Sequence, residues 1–227
     1  MKNKADILWL DTAESSNDEA RKAIDSLDNL SVIAVRCQTK GRGQRTNTWL
    51  TTPGENLTFS IVLKSLDILP SEQIAISQIT ALSVVDYLQS HGIDSRIKLP
   101  NDIYVGRKKI CGILIENSIC SSKMKWSIIG IGINVNQTIF PSSLPNPTSI
   151  LLESAQTKLA QYTNQDLQLN LDPNLDSNLD LHIQLEHFHK IFSSYYTKYL
   201  SCRNKTALAE LANLFKSKLL HIDTMAQ

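Results

Sequence analysis

Arg96-Ile97-Lys98-Leu99-Pro100-Asn101-Asp102-Ile103-Tyr104-Val105 runs through Gly106, Arg107 and Lys108 into Lys109-Ile110-Cys111-Gly112-Ile113-Leu114-Ile115-Glu116, and this reversal decides the fold class. Pro100 disfavours helical backbone at Leu99, so Lys98 sits at the end of an extended segment. Asn101-Asp102 reads as a polar turn. Gly106-Arg107 permits a tight hairpin. Strands joined by reversals this short lie antiparallel.

The pattern continues on both sides. Downstream, Trp126-Ser127-Ile128-Ile129-Gly130-Ile131-Gly132-Ile133-Asn134-Val135 is another strand, with Gly130, Gly132 and Asn134 on one face. Glycine weakens a strand, so two on one face point to tight sheet packing or to another group approaching closely. Upstream, residues 57–63 alternate large apolar side chains, which predicts a half-buried strand, and 31–36 and 7–10 read as further strands. Residues 73–89 carry Ile74, Ile76, Ile79, Leu82, Val85 and Leu88 around much of a helix that Gly92 ends. Strands in hairpins with few helices between them give an α+β fold with a mixed or antiparallel sheet, not a doubly wound one. Neither Gly-x-x-x-x-Gly-Lys-Ser/Thr nor Gly-x-Gly-x-x-Gly occurs. Beyond the proline-rich loop 141–147, a short helix is expected at 148–153. Helices are expected also at 182–200 and 206–220. Residues 161–180 repeat Asn-Leu-Asp at 170–172, 174–176 and 178–180 without the glycine and terminal glutamate of a calcium loop, and read as a solvated loop. His187 and His189 fall on different helix faces, which argues against a joint metal site.

With 227 residues the chain can bury a sizeable core, and a net charge of +1 gives no general attraction to nucleic acid. The four cysteines are scattered and form no C-x-x-C pair, which suits a reducing compartment. No signal peptide or membrane-length apolar run is read, so a cytoplasmic protein is expected.

The chemistry concentrates in Gln38-Thr39-Lys40-Gly41-Arg42-Gly43-Gln44-Arg45-Thr46-Asn47-Thr48-Trp49. Gly41 and Gly43 let backbone approach a ligand closely. Arg42 and Arg45 offer planar donor forks for carboxylate or phosphate. Trp49 offers a flat apolar face. The loop is polar with few anchors before Trp49, so it is expected to be mobile until a ligand orders it. Ser15, Ser16 and Asn17 stand at a strand-to-helix junction. Their first expected role is helix capping, and the second is hydrogen bonding to a ligand. Lys98, in an apolar run before a turn, is expected to point into a site.

Taken in order, Ser-Ser-Asn, Gln-x-x-Gly-Arg-Gly, Lys-x-Pro-Asn-Asp, Cys-Gly-Ile-Leu-Ile-Glu and Gly-Ile-Gly-Ile-Asn-Val resemble the biotin–protein ligases, also called biotin–[acetyl-CoA-carboxylase] ligases, over about residues 5–152. The resemblance implies a catalytic domain like that of class II aminoacyl-tRNA synthetases. It implies that biotin and ATP, with Mg²⁺, form biotinyl-5′-adenylate, from which biotin passes to a lysine of a biotin carboxyl carrier domain. Lys98 matches the catalytic lysine and Arg42 the arginine of the closing loop. Ser15, Ser16, Asn17, Gln38, Gly41, Arg42, Gly43, Gln44, Lys98 and Gly112 match biotin-binding positions. Arg42, Arg45, Trp49, Lys98 and Asn134 match positions around the adenylate. A homodimer is compatible with the resemblance; specific DNA binding and a membrane partner are not expected.

The chain also departs from the family pattern. Gln44 and Asn47 replace further arginines of the commonest loop, leaving the phosphate clamp to Arg42, Arg45 and Lys98. Leu99 replaces a tryptophan. Residues 1–200 are expected to form the catalytic domain and 201–227 a helical tail, with neither the N-terminal winged helix nor the C-terminal β-barrel of other members. The alternatives are a lipoyl or octanoyl ligase or transferase of the same fold, or a degenerate biotin-binding protein. The pairing of Lys98-x-Pro-Asn-Asp with Gly-Arg-Gly favours biotin.

Overall fold

The computed structural model describes residues 6–64, 69–120, 123–161, 178–201 and 205–220. In chain order its elements are β1 (Ile7–Ala13), α1 (Ser16–Lys22), β2 (Val32–Gln38), β3 (Leu57–Lys64), α2 (Ile74–Ser90), β4 (Arg96–Lys98), β5 (Asp102–Val105), β6 (Lys108–Cys120), β7 (Lys123–Ile133), α3 (Ile150–Gln161), α4 (Leu181–Tyr196) and α5 (Lys205–Ser217). The strands form one seven-stranded sheet in the order β1-β2-β3-β7-β6-β5-β4. β1 and β2 are parallel, joined through α1, and every other pairing is antiparallel.

The hairpins expected around Lys98 form. Residues 99–101 make the first turn, and Asp102, expected in that turn, instead opens β5. The second turn is tight enough to hold Gly106 at φ 55°, a conformation costly for any other residue.

Strand alternation sorts the core into two layers. Val32, Ala34, Phe59, Ile61, Ile129 and Ile131 face a large cluster that includes α2, α4 and α5. Ile33, Val62 and Ile128 face Ala20 of α1 on the other side. β3 is therefore buried on both faces, not half-buried as expected. Its alternate positions Thr58 and Ser60 are polar, yet both are buried, Thr58 donating to the Val35 carbonyl and Ser60 meeting Ser16 and Asn17 of α1. Alternation marks two different faces, and here the polar one is also closed off.

α2 is buried on most of its sides, as its spread of apolar positions predicts, and ends with Gly92 at φ 74°. α3 runs past the expected 148–153, because the alanine, lysine and glutamine that follow sustain a helix. The described part of the 161–180 stretch begins at residue 178; the earlier Asn-Leu-Asp repeats lie outside the described residues. In the last repeat Asp180 caps α4, accepting hydrogen bonds from the backbone of His182 and Ile183 at 2.8 and 3.1 Å. His187 and His189 diverge as expected. The first packs edge-on to Tyr87, and the second meets the Leu30 carbonyl at 3.0 Å.

The segment expected as a helical tail is part of this body over 205–220. Leu211 and Phe215 of α5 enter the main core. Beyond α5 the chain pairs with β4, Ile97 N–H donating to the Lys218 carbonyl at 2.9 Å and Leu220 N–H to the Ile97 carbonyl at 2.8 Å. Among the described residues no helix is long and apolar enough to cross a membrane.

Candidate active site

Register places the chemistry in rows on the α1 face of the sheet. Lys98 pairs with Asp102, Asp102 with Gly112, Gly112 with Gly132, and Gly132 with Thr58. With about 4.8 Å between strands, Lys98 and Gly132 lie about 14 Å apart along one line. The neighbouring row is Leu114, Gly130 and Ser60. The paired glycines leave a floor without side chains, and the ends of the rows differ in charge.

The neutral end is built where β1 enters α1. Ser15 occupies the N-cap position, but its side chain makes no capping bond. Capping is therefore not what these residues do. Ser16 N–H donates to Gln38 Oε1 at 2.7 Å, and the Ser60 hydroxyl lies 2.8 Å from Ser16 Oγ and 2.5 Å from Asn17 Oδ1. Asn17 Nδ2 donates to the Leu114 carbonyl at 3.3 Å and to Glu116 Oε2 at 2.8 Å. Asn17 reaches so far because Gly130 has no side chain: a Cβ there would stand 2.4 Å from Asn17 Oδ1. Ser15, Ser16, Asn17 and Gln38 all line the resulting cleft, together with Arg42, Gly43, Gln44, Trp49, Asp102, Lys109, Gly112 and Gly132.

The loop after Gln38 is folded as a small hairpin. Arg42 bridges Thr48, Gly43 N–H donates to the Asn47 carbonyl at 2.8 Å, and Trp49 N–H to the Gly41 carbonyl at 2.9 Å. Gly41 is buried and leaves no room for a side chain, since a Cβ would come 2.4 Å from the Trp49 carbonyl oxygen. The hairpin lays the Trp49 indole on the glycine floor. A Cβ at Gly132 would meet its Cε2 at 2.3 Å, and one at Gly112 its Cζ3 at 3.1 Å. Trp49 Nε1 is buried there without a hydrogen-bond partner. The same indole also lines a second hollow with Asp102, Tyr104, Lys109, Asn134, Pro145 and Pro147, so it stands as the wall between two spaces.

Arg42 faces two carboxylates, Asp18 at 2.7 Å and Glu116 at 3.2 Å, and Arg21 also reaches Glu116 at 2.8 Å. Burial pushes the Glu116 carboxyl up, but hydrogen bonds from Asn17 and Arg21 and the charges of Arg42 and Arg21 outweigh it. The net shift is downward, and Glu116 is an anion at neutral pH. With the Arg42 side chain 39% exposed, such pairs are worth tenths of a kcal/mol to about 1 kcal/mol each, little enough for an anionic ligand to compete for the arginine.

A family model described as the biotin/lipoate A/B protein ligase family matches residues 11–134, more than half of the 227-residue chain and every residue that lines the first cleft. The chain belongs to that family. A relative in Bacillus subtilis, the bifunctional ligase/repressor BirA, is 33% identical over 132 residues, 57% of this chain and 40% of the relative. The biotin–[acetyl-CoA-carboxylase] ligase of Paracoccus denitrificans is 32% identical over 126 residues, 54% of this chain and 51% of the relative. The matched stretch thus spans about half or less of these relatives. The fold is shared with the biotin protein ligase of Aquifex aeolicus in complex with biotin and ATP. Its TM-score is 0.71 at 23% identity, covering 95% of this chain and 78% of that one. The Leishmania major enzyme in complex with biotinyl-5-AMP gives 0.59 at 22%, covering 95% and 84%.

In this family member the expected site residues are not all brought together. Lys98 is in the row by its backbone, but its ammonium turns to Tyr104, with the hydroxyl at 3.2 Å and the ring centroid at 4.5 Å. Arg45 is exposed at φ 58° and lines neither hollow. Asn134 reaches only the second hollow, and its amide donates to the Thr148 carbonyl at 2.8 Å. Leu99 is 60% exposed and lines neither space. Four residues at the site were not singled out from sequence: Asp102 and Lys109, which line both hollows, and Asp18 and Glu116, which pair with Arg42. Asp102 and Glu116 lie inside quoted motifs, where strand alternation from Gly112 places Glu116 on the site face. Among the described residues no group of three or more histidine, cysteine or carboxylate side chains could hold a metal.

Proposed function

We propose that this chain is a biotin–protein ligase that activates biotin with ATP to biotinyl-5′-adenylate and passes biotin to a lysine of a carboxylase carrier domain. The observation that carries this reading is the two-ended cleft. A cluster of neutral donors and acceptors at Ser16, Asn17 and Gln38, with Arg42 beside it in ion pairs to Asp18 and Glu116, stands at one end of a bare glycine floor, and Lys109 stands over Gly112 toward the other, on the row that leads to Lys98. Biotin has that form, with a neutral ureido ring at one end and a carboxylate at the other. A lipoyl or octanoyl chain would leave the neutral cluster without partners, which costs binding energy wherever polar groups are desolvated. The lipoyl alternative is therefore second.

In this reading biotin lies over Gly112 and Gly132, and the nucleotide takes the second hollow with adenine against the displaced Trp49. Arg42 leaves Asp18 and Glu116 to clamp carboxylate and phosphate. Lys98 leaves Tyr104 to stabilise the charge that develops as carboxylate attacks the α-phosphate. With no acidic cage among the described residues, Mg²⁺ would be held chiefly by the phosphates of ATP and by water. The test is to incubate the chain with ATP, Mg²⁺ and either biotin, lipoate or octanoate, and to follow pyrophosphate and the acyl-adenylate by mass. Biotinyl-5′-adenylate is expected. Adenylate formed from lipoate or octanoate but not from biotin would overturn the assignment.

A further inference from the structure

We infer that Asn56 is a positioning residue: its buried amide pins the outgoing arm of the Trp49 hairpin to the end of β7, and so fixes where the indole stands between the two hollows. The inference rests on the ligase reading above only for the identity of the ligand in the second hollow. Asn56 immediately precedes β3. Leu57 pairs with Ile133, so the antiparallel register sets Asn56 opposite Asn134, where the backbone ladder stops. From there the side chain takes over. Asn56 Oδ1 accepts from the Val135 N–H at 2.8 Å, and Nδ2 donates to Thr51 Oγ1 at 2.6 Å and to Gln137 Oε1 at 2.5 Å. Gln137 Oε1 also accepts from the Thr52 N–H at 3.3 Å. The Thr51 hydroxyl gives its own proton to the Thr52 carbonyl at 3.4 Å, so its oxygen faces Asn56 as an acceptor. Asn56 and Gln137 are each 2% exposed, so water does not stand in for these partners.

The anchor matters because of what it joins. Thr51 is two residues beyond Trp49, a span of about 7 Å at full extension. Trp49 and Leu50 line the second hollow, and so does Asn134, the neighbour of Val135. One buried amide therefore ties the wall of that hollow to the strand end that carries Asn134. The incoming arm of the hairpin is held separately, with the Thr39 and Lys40 N–H groups donating to the Ala13 and Glu14 carbonyls at 2.9 Å each. Any movement of the loop turns about these two feet. A flat ligand that meets a wall already in place has less ordering to impose when it binds.

Asn56→Ala would also strip Val135 and Gln137 of partners and endanger the fold, so the anchor is tested from its other end. Thr51→Val removes the hydroxyl that Asn56 holds and keeps the shape, whereas Thr51→Ser keeps the hydroxyl. Thr80→Val is the control, because it removes a buried hydroxyl that bonds the Ile76 carbonyl at 2.7 Å within α2. Pyrophosphate release gives KM for ATP and for biotin, and hydrogen exchange of the ligand-free proteins reports on the arm directly. Thr51→Val is expected to raise KM for ATP about five-fold, as losing one hydrogen bond does, and to leave KM for biotin within about two-fold. Exchange of the amides of residues 49–52 should quicken several-fold while that of α2 is unchanged. Thr51→Ser should restore the parental values of both, and Thr80→Val should lower Tm without moving either. If Thr51→Val leaves KM for ATP or the exchange at 49–52 at the parental value, if it raises both KM values equally, or if Thr51→Ser fails as Thr51→Val does, the amide positions nothing and the inference is wrong. A parent that forms no biotinyl-5′-adenylate would refute the ligase reading instead, and exchange in the ligand-free proteins would still decide the anchor.

Discussion

At the scale of single residues, the floor makes the sharpest demand. A methyl group at Gly132 would intrude to 2.3 Å on Trp49, but one at Gly112 only to 3.1 Å. Gly132→Ala should therefore cost the site more than Gly112→Ala. Overpacking of this kind costs about 1–3 kcal/mol, so urea unfolding of the ligand-free variants should show a loss of that size in the first and a smaller one in the second. Equal losses would mean that Trp49 does not rest on Gly132. Lys98 and Arg42 should fail differently. Lys98→Ala is expected to slow adenylate formation more than it weakens biotin binding, because its charge acts as the attack develops. Arg42→Gly should chiefly speed release of the adenylate, so that nearby nonspecific lysines become labelled. Rapid-quench adenylation and a labelling assay against a bystander protein check the two. A parental adenylation rate in Lys98→Ala would remove the lysine from the mechanism.

At the scale of elements, the loop of residues 39–48 carries its own hydrogen bonds and, before Trp49, is held to the body by backbone bonds from Thr39 and Lys40 to Ala13 and Glu14 and by solvent-accessible ion pairs such as those of Arg42 with Asp18 and Glu116. Its amides are expected to exchange quickly without ligand and to slow at least several-fold with biotin and ATP, read by hydrogen–deuterium exchange. Unchanged exchange would show that the loop is not a lid. What could be read beforehand follows from the same distinction between local and long-range order. The hairpins around Pro100 and Gly106 were legible because turn chemistry is local. Gly130 and Gly132 announced a close approach, but not that Asn17 and Trp49 make it, since those contacts join segments far apart in sequence. Alternation along β3 predicts a half-buried strand, because it cannot tell water from the buried network at Ser60. Lys109 carries no signal in the sequence; its pairing with Asp102 and its place over Gly112 appear only in the fold.

At the scale of the whole molecule, two features couple stability to the site. Residues 218–220 cover the outer edge of β4, the strand that carries Lys98. Truncation after Ser217 removes two backbone hydrogen bonds worth about 1 kcal/mol each and the pairing at Leu219, so both Tm and kcat should fall. A truncated chain with the parent's Tm and turnover would show that this edge positions nothing. The second feature is pH. Burial holds His189 below its ordinary 6.5, only partly offset by the hydrogen bond to Leu30, and burial lowers His91 against the opposing hydrogen bond that it donates to Gln184. Between the lowered folded values and 6.5 the unfolded chain binds more protons. Stability should thus be full above about pH 6.5 and decline as pH falls below it. Glu116 adds a loss only at more acid pH, as pH falls below 4.5 through its lowered value. Urea midpoints at pH 7.5 and 5.5 check this, and His189→Gln should flatten the difference. The claim that joins all three scales is group transfer. The purified chain is incubated with ATP, Mg²⁺, biotin and an isolated biotin carboxyl carrier domain, and the carrier's intact mass is measured beside a Lys98→Ala control. The account predicts one biotinyl group on one carrier lysine, formed with the parent and strongly reduced with the variant. An unmodified carrier in the presence of accumulated biotinyl-5′-adenylate, or equal labelling by the variant, would contradict it.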